Sequence, residues 1–262
     1  MNRISAYLIA LLFCLPVVSC SGNQGDEPDN PGQPETVWDK TRTVRILFIS
    51  TLATGNPYNN NNRSNYNTVA NIASKSDGHI LILDKTNVIY NGARVNTGAE
   101  IAVIAHRYPI FIPISKTATE YIGNSMFFKN TVPQMEQIVI SEDCRMMQTS
   151  VEIGESLTAN IATVSFDADS QVNAFADCIQ SVQTTATLVT GTIKRSLVPL
   201  LESKMTTLVP EYRLEIMEHS DKNSEYCIYL LGTTKWKLRD FTEETIDNGS
   251  IKSFLLQAEI LK

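Results

Sequence analysis

Two short runs of apolar residues constrain the fold of this chain more than any other feature. Val44–Ser50 and His79–Asp84 are almost continuously apolar, which is typical of strands that are covered on both faces. Other segments, such as Tyr212–Met217 and Trp236–Phe241, alternate between apolar and polar residues and are expected to be half-buried. A chain with both kinds of strand predicts two β-sheets packed together, with helices outside them.

Blocks with helical periodicity separate these strands. Four helices are predicted, at Arg63–Ser74, Gly98–His106, Ser170–Val182 and Ile193–Lys204. Further strands are predicted at Ile110–Ser115, Asn124–Lys129, Gln137–Ser141, Met147–Ile153, Leu157–Phe166, Ala186–Thr190, Tyr226–Leu231 and Phe254–Leu261. The expected class is therefore α/β (α+β), a four-layer sandwich of two packed mixed β-sheets with outer helices.

The first 19 residues have the composition of an export signal. Arg3 is followed by the apolar run Tyr7–Val18 and by a small residue, Ser19. The run is shorter than the roughly 20 apolar residues that a membrane-spanning helix needs. The junction Val17–Cys20 resembles the lipobox of bacterial lipoproteins, whose cysteine is acylated after export. This resemblance implies cleavage before Cys20 and a membrane anchor of lipid on that residue, the alternative being an ordinary cleaved signal.

The residues that follow Cys20 are polar and acidic. Ser21–Glu35 holds four acidic residues, three prolines and no large apolar side chain. Residues 20–40 are therefore predicted to be a disordered tether, and residues 41–262 to form the folded domain. An acidic stretch in this position resembles the surface-export signal of Bacteroidetes lipoproteins. It implies an outer-membrane protein, on either the periplasmic or the cell-surface side.

Charge and cysteine content narrow the classes of function. The formal net charge of −6 leaves no basic footprint for long nucleic acid. Besides Cys20, the mature chain keeps Cys144, Cys178 and Cys227, of which at most one pair can form a disulfide. Their spacing from histidines does not suggest a zinc site. These cysteines are expected to be buried as small apolar residues.

A series of blocks carries a resemblance to a known family. Arg45–Thr51 is similar to the opening strand of that family, and Asp77–Asp84 to its second strand, which ends in a metal-binding glutamate. Five later blocks are each similar to a sequence block of that family: Gly123–Asn130 to GNAILSK, Asn160–Asp167 to NTHLD, Ala186–Lys194 to PVILAGDFN, Glu225–Leu231 to IDYIF, and Ser253–Ile260 to SDHYPVVAEI. In this order, over nearly the whole mature domain, the chain resembles the endonuclease/exonuclease/phosphatase family, which has the fold of deoxyribonuclease I.

The resemblance implies a site that has lost most of its chemistry. The family uses a Mg²⁺ or Mn²⁺ ion with oxygen ligands, a His–Asp base, and Asn and His side chains that hold phosphoryl oxygens. Eight matching positions hold Ser50, Asp84, Ser165, Thr192, Lys194, Cys227, Lys252 and Ser253. Asp84 alone keeps a metal-binding group, and a single carboxylate is a weak ligand. The resemblance therefore implies a pseudoenzyme with no confident catalytic residue and no resident cofactor.

The other polar residues do not restore this site. His79, His106 and His219 are expected to be structural or solvated, and His79 lies about 17 Å from Asp84 along a strand. Lys194 would stand where the family holds phosphate and could bind an anion, although a solvated lysine in a turn is the simpler interpretation.

Three functions are therefore open. The first is a non-catalytic envelope protein that binds a glycan, a protein or a small anion on a phosphoesterase scaffold. The second is an active Mg²⁺- or Mn²⁺-dependent phosphoester hydrolase whose ligands are displaced, with four candidates, Glu100, Asp167, Asp169 and Asp240. The third is an interaction lipoprotein with a different fold.

Overall fold

A computed structural model describes ten segments of the chain: 43–50, 63–89, 96–116, 118, 120–129, 134–153, 157–181, 186–217, 225–246 and 251–261. The signal, Cys20 and the tether lie outside them, as does His219. None of the helices in these segments is both long and apolar enough to span a membrane.

The described residues form twelve strands and four α-helices. The strands, β1 to β12, are Thr43–Ser50, Ile80–Ile89, Tyr108–Lys116, Glu120–Phe128, Met135–Ser141, Cys144–Ile153, Leu157–Thr163, Thr187–Lys194, Tyr212–Met217, Tyr226–Thr233, Trp236–Ile246 and Ile251–Ile260. The helices, α1 to α4, are Arg63–Lys75, Thr97–Ala105, Asp169–Ser181 and Val198–Leu208. Sheet 1 has the strand order β11-β12-β1-β2-β4-β3, and sheet 2 the order β5-β6-β7-β8-β10-β9. Both are mixed, since β1 is parallel to β2, β7 is parallel to β8, and the other pairs are antiparallel.

Apolar side chains on both faces of each sheet build the predicted four layers. Phe48 and Ile82 of sheet 1 pack with Ile161 and Leu188 of sheet 2 in the central core. The neighbours of these residues along each strand point outward, because side chains alternate between the two faces. The outward side chains of sheet 1 are covered by α1 and α2, and those of sheet 2 by α3 and α4. The predicted four-layer sandwich is therefore confirmed.

Each helix forms where its sequence provides an apolar stripe and an end. In α1, Val69, Ala70 and Ala73 are fully buried against sheet 1, at the spacing of one helical face. The Asn96 side chain accepts a hydrogen bond from the backbone of Ala99 at 2.9 Å and caps the start of α2. The same helix ends at His106, an exposed residue with a left-handed φ of 51°. His106 thus terminates the predicted helix.

One predicted helix begins too early. The chain continues as strand β8 to Lys194 and passes through a 3₁₀ turn at Arg195–Leu197 before α4 begins at Val198. The reason is Pro199, which is tolerated in the first turn of a helix but would block a helix that started at residue 193. The predicted strand Ala186–Thr190 is correspondingly too short.

A short turn between the sheets fixes which ends lie together. Strand β10 runs from Tyr226, paired with Lys194, to Thr233, and two residues later β11 starts at Trp236. Trp236 pairs with Ile260, at the opposite end of sheet 1 from the C-terminus of β1. The C-terminal ends of β1, β7 and β8 therefore lie at the same end of the sandwich. This end is called the mouth.

The opposite end of sheet 1 is closed by a buried arginine. Arg107 is 5% exposed and donates to the backbone oxygens of Ala73, Gly78 and His79 at 3.2, 3.0 and 3.5 Å. Burial lowers the pKa of Arg107 to about 10. The buried His79 accepts a hydrogen bond at Nδ1 from the backbone of Arg45, so it has the structural role expected of it.

The three described cysteines are free. Cys144 and Cys227 are buried as predicted, and Cys178 is half-buried. Burial raises the pKa of the Cys144 thiol to about 12, aided by the nearby carboxylates Asp143 and Asp167. A thiol of this kind stays protonated and packs as a small apolar group.

Candidate functional site

Sheet 2 places short hydroxyl side chains at its side of the mouth. The backbone N–H of Thr192 donates to Ser165 Oγ at 3.3 Å, so two of the predicted positions lie in contact. Thr192 is 2% exposed and Ser165 is half-buried. They alternate along their strands with Phe166 and Ile193, which point outward into the core under α3 and α4. Ser165 and Thr192 therefore belong to the inner face of sheet 2, at the mouth.

Lys194 ends β8 at the mouth and is held by an ion pair. Its Nζ lies 3.0 Å from Glu225 Oε1, and both side chains are well exposed, at 39% and 63%. The Lys194 backbone N–H donates to the Phe166 oxygen at 3.0 Å, which anchors the strand end. An exposed ion pair of this kind contributes about 0–1 kcal/mol, so Glu225 can be displaced at little cost. The ammonium is therefore available to an anion that competes with Glu225.

Tyr226 is a residue of the mouth that the sequence comparison missed. It is the cross-strand partner of Lys194, and its hydroxyl has a hydrogen bond to the Asp167 side chain. Partial burial, together with the charge of Asp167, raises the pKa of Tyr226 to about 12. The aromatic side chain at the start of a strand was visible in the sequence, but the resemblance assigned the site to its neighbour Cys227.

Cys227 and Ser253 face away from the mouth. Cys227 is fully buried beneath the outer helices of sheet 2, with its Sγ 3.7 Å from the backbone oxygen of Ile193. Ser253 lines a groove on the outer face of sheet 1, whereas its neighbour Phe254 points into the central core. The expectation that Ser253 joins Ser165 and Thr192 is thus corrected, because a displacement of one residue along a strand changes the face.

Sheet 1 brings two of its predicted positions to the same level on the neighbouring strands β1 and β2. Ser50 is the last residue of β1 and pairs with Lys252, and Ile49 pairs with Leu83. Asp84 follows Leu83 in β2, so the backbones of Ser50 and Asp84 lie at the mouth. The side chains of Ser50, Asp84 and Lys252 lie outside the described part of the structure. The role of Asp84 as a weak metal ligand therefore stays a prediction.

A close approach of two strands makes this side of the mouth rigid. A Cβ atom at Gly191 would lie 1.7 Å from the backbone oxygen of Val164, so only glycine fits. The same oxygen accepts a hydrogen bond of 2.8 Å from the hydroxyl of the fully buried Tyr229. The backbone beneath Ser165 and Thr192 is thereby fixed.

The four displaced-ligand candidates are dispersed. Asp167 is at the mouth beside Tyr226, whereas Asp169 begins α3 and Glu100 lies in the first turn of α2. Asp240, on β11, accepts from the backbone of Phe241 at 2.8 Å. The described segments contain no group of three or more His, Cys, Asp or Glu side chains that could hold a metal ion.

The loop that carries Asp167 is fixed by a buried amide. Gln171 Oε1 accepts from the backbone N–H groups of Asp167 and Ala168 at 2.7 and 3.2 Å, and its Nε2 donates to Asp143 at 3.0 Å. Asp143 also accepts from the Ser141 hydroxyl at 2.7 Å, and these hydrogen bonds, led by that from Ser141, lower the pKa of Asp143. Asp167 is therefore held in place at the mouth.

No protein-family model and no curated protein sequence matches this chain. Solved structures do. An endonuclease/exonuclease/phosphatase from Bacteroides vulgatus has a TM-score of 0.60 at 13% identity, over 83% of this chain and 99% of that one. Another endonuclease/exonuclease/phosphatase, from Beutenbergia cavernae, has a TM-score of 0.60 at 8% identity, over 84% of this chain and 72% of that one. The human Nocturnin catalytic domain with bound sulfate has a TM-score of 0.59 at 12% identity, over 83% of this chain and 93% of that one. Together with the two six-stranded sheets and their shared mouth, these likenesses show that the chain has the fold of the endonuclease/exonuclease/phosphatase family.

Proposed function

We propose that this chain is a lipid-anchored envelope protein whose mouth binds a small anion, such as phosphate or a phosphorylated molecule, without hydrolysing it. The contact that carries the proposal is the Ser165–Thr192 hydrogen bond with Lys194 at the adjoining strand end. Where the family resemblance calls for a histidine, an aspartate and an asparagine, the chain has Ser165, Thr192 and Lys194, which are two hydroxyls and an ammonium.

The charges at the mouth support binding over catalysis. A catalytic metal ion needs several carboxylate oxygens, and an ammonium close to it is repelled by about 1–4 kcal/mol. Lys194 would oppose a cation but would attract a phosphate, which hydroxyl and backbone N–H donors at the mouth could also bind. The hydroxyl of Tyr226 is not a base near neutral pH, because its pKa is raised to about 12. A similar structure, that of human Nocturnin, contains sulfate, which agrees with an anion site on this fold.

The decisive experiment measures hydrolysis of bis(4-nitrophenyl) phosphate with Mg²⁺ or Mn²⁺. We expect no turnover above the metal-only background, since loss of one catalytic group costs about 10²–10⁴ in rate and several are missing. Robust turnover that needs the metal and disappears in Asp84→Ala would instead establish the hydrolase. If Asp167→Asn also abolished this turnover, Asp167 would be identified as a displaced metal ligand at the mouth.

Anion binding is tested separately by titration with inorganic phosphate. Lys194→Met should abolish binding, while Lys237→Met, at an exposed position on β11, should leave it unchanged. Equal phosphate affinity in both variants would show that Lys194 is not the anion site.

The membrane anchor is tested on the first residues of the chain. Cys20→Ala should release the protein from the membrane fraction or leave an uncleaved precursor, because two or more acyl chains are needed for stable anchoring. Unchanged fractionation, with no acyl mass on the mature N-terminus, would exclude lipid attachment at Cys20.

A further inference from the structure

A groove of about 660 Å³ lies on the outer face of sheet 1, between α1 and the strands β12 and β11. The apolar cluster beneath α1 and α2 includes residues of β1, β2 and β4 and, among the described residues, none of β11 or β12. The helices therefore leave this side of the sheet uncovered. The volume lies within the range of roughly 300–1,000 Å³ that is usual for small-molecule pockets.

The floor of this outer groove is aliphatic. Leu47 on β1 and Leu255 on β12 are cross-strand partners, and Thr242 on β11 pairs with Leu255, so the three form one row across the sheet. Ile72 of α1 lines the same space and is half-buried. None of the described lining residues is aromatic, so a planar ring has no partner to stack on. This floor suits a flexible aliphatic chain.

Polar side chains lie at the two ends of the outer groove. Lys75 is the last residue of α1, and Asp77, two residues later, is tied to Arg45 near the start of β1 by an ion pair of 3.3 Å. Ser253 is on β12 at the level of Ile49, four residues further along β1 than Arg45. Four strand residues span about 13 Å. The groove therefore separates an ammonium from a hydroxyl by roughly that distance.

Each of these two groups has no partner among the described residues. Ser253 is 2% exposed, lines the groove and makes no hydrogen bond to a described residue, although a buried hydroxyl is costly without one. Lys75 is exposed and forms no ion pair within the described segments. The carboxylate of Asp77 also lines the groove, but its charge is balanced by Arg45. The lining is thus complementary to a ligand with one negative charge at the Lys75 end.

We propose that the outer groove binds a linear aliphatic carboxylate with a hydroxyl at its other end, the class of ω-hydroxy fatty acids. The carboxylate pairs with Lys75, the methylene chain lies on Leu47 and Leu255, and the terminal hydroxyl bonds Ser253. This site is separate from the mouth, and the inference is independent of whether the mouth binds an anion.

Calorimetric titration of the full chain with 8-hydroxyoctanoate tests the proposal. Binding should be saturable, and Lys75→Gln should weaken it up to about 5-fold, as expected for an exposed ion pair. Lys235→Gln, at an exposed lysine in the turn before β11, is the matched control and should leave binding unchanged. Thr242→Trp fills the groove and should abolish binding, whereas Thr234→Trp, in the same exposed turn as Lys235, should not.

Two shortened ligands assign the ends. 1,8-Octanediol lacks the carboxylate, so it should bind more weakly than the hydroxy acid and equally well to the wild type and to Lys75→Gln. Octanoate lacks the terminal hydroxyl, so it should bind more weakly than the hydroxy acid and equally well to the wild type and to Ser253→Ala. The hydroxy acid alone should be sensitive to both substitutions.

Three results would overturn the proposal. The first is the absence of saturable binding of 8-hydroxyoctanoate. The second is binding that Lys75→Gln and Thr242→Trp leave unchanged. The third is binding that is lost in Lys194→Met, which would place the carboxylate at the mouth instead.

Discussion

Acid should destabilise this domain through His79, by an amount that the structure allows to be worked out. His79 is 5% exposed, and burial, followed by the charges of Arg45 and Lys129, lowers its pKa from 6.5 to about 4. Its Nδ1 and Nε2 lie 3.2 and 3.1 Å from the backbone nitrogen and Nη2 of Arg45, both of which carry protons to donate. A neutral ring accepts at one nitrogen, here Nδ1 from the Arg45 backbone N–H, whereas a protonated ring has N–H groups at both nitrogens and loses this acceptor.

The sign follows from proton binding. Between pH 6.5 and 4 the unfolded chain protonates His79 and the folded chain does not, so the free energy of unfolding falls as pH falls. A difference of 2.5 pKa units at 1.36 kcal/mol per unit gives a loss of about 3 kcal/mol, complete near pH 4. That is a large part of the roughly 5–15 kcal/mol that stabilises a typical domain.

Urea unfolding at pH 7 and pH 4 measures this loss. His79→Asn keeps an acceptor near Nδ1 and cannot titrate, so its stability should fall by about 3 kcal/mol less than that of the wild type over the same interval. His106→Asn is the matched control, since residue 106 is exposed and asparagine tolerates its positive φ. Parallel pH dependence of the wild type and His79→Asn would refute the reasoning.

Three further changes probe the mouth and its support. Gly191→Ala should destabilise the fold by more than about 3 kcal/mol in urea unfolding, because its Cβ would overlap the Val164 oxygen; near-wild-type stability would mean that the strands separate freely. Tyr229→Phe, which leaves that oxygen without its buried donor, should cost about 1–3 kcal/mol, and a neutral result would show that a water replaces the hydroxyl. Glu225→Gln should strengthen phosphate binding up to about 5-fold in calorimetric titration, since it frees Lys194 from its ion pair; weaker binding would mean that Glu225 positions the lysine.

The sequence predicted the layers of this fold better than it predicted the face of the sheet to which each side chain points. Continuous apolar runs such as Val44–Ser50 identify covered strands, because burial on both faces leaves no room for polar residues. The extension of β8 to Lys194 depends on pairing with Tyr226, a contact 32 residues away that local periodicity does not contain. Near such strand ends, the local sequence favours a turn or helix as readily as a strand.

The candidate site was predictable to within one residue, and one residue is decisive in a strand. Ser165 and Thr192, two positions identified through the family resemblance, lie in contact. Tyr226 rather than Cys227 belongs to the mouth, and Ser253 lines the groove on the outer face of sheet 1. Because side chains alternate with a period of two, a resemblance without strong sequence identity can locate a strand end but not the face of each residue.

Strand β1 begins at the end of the sandwich opposite the mouth, which separates the entry of the chain from the candidate site. The chain enters the described part of the domain at Thr43, and the eight residues of β1 span about 26 Å from there to Ser50 at the mouth. A ligand bound at the mouth would therefore lie about 26 Å along this strand from the residue at which the chain enters.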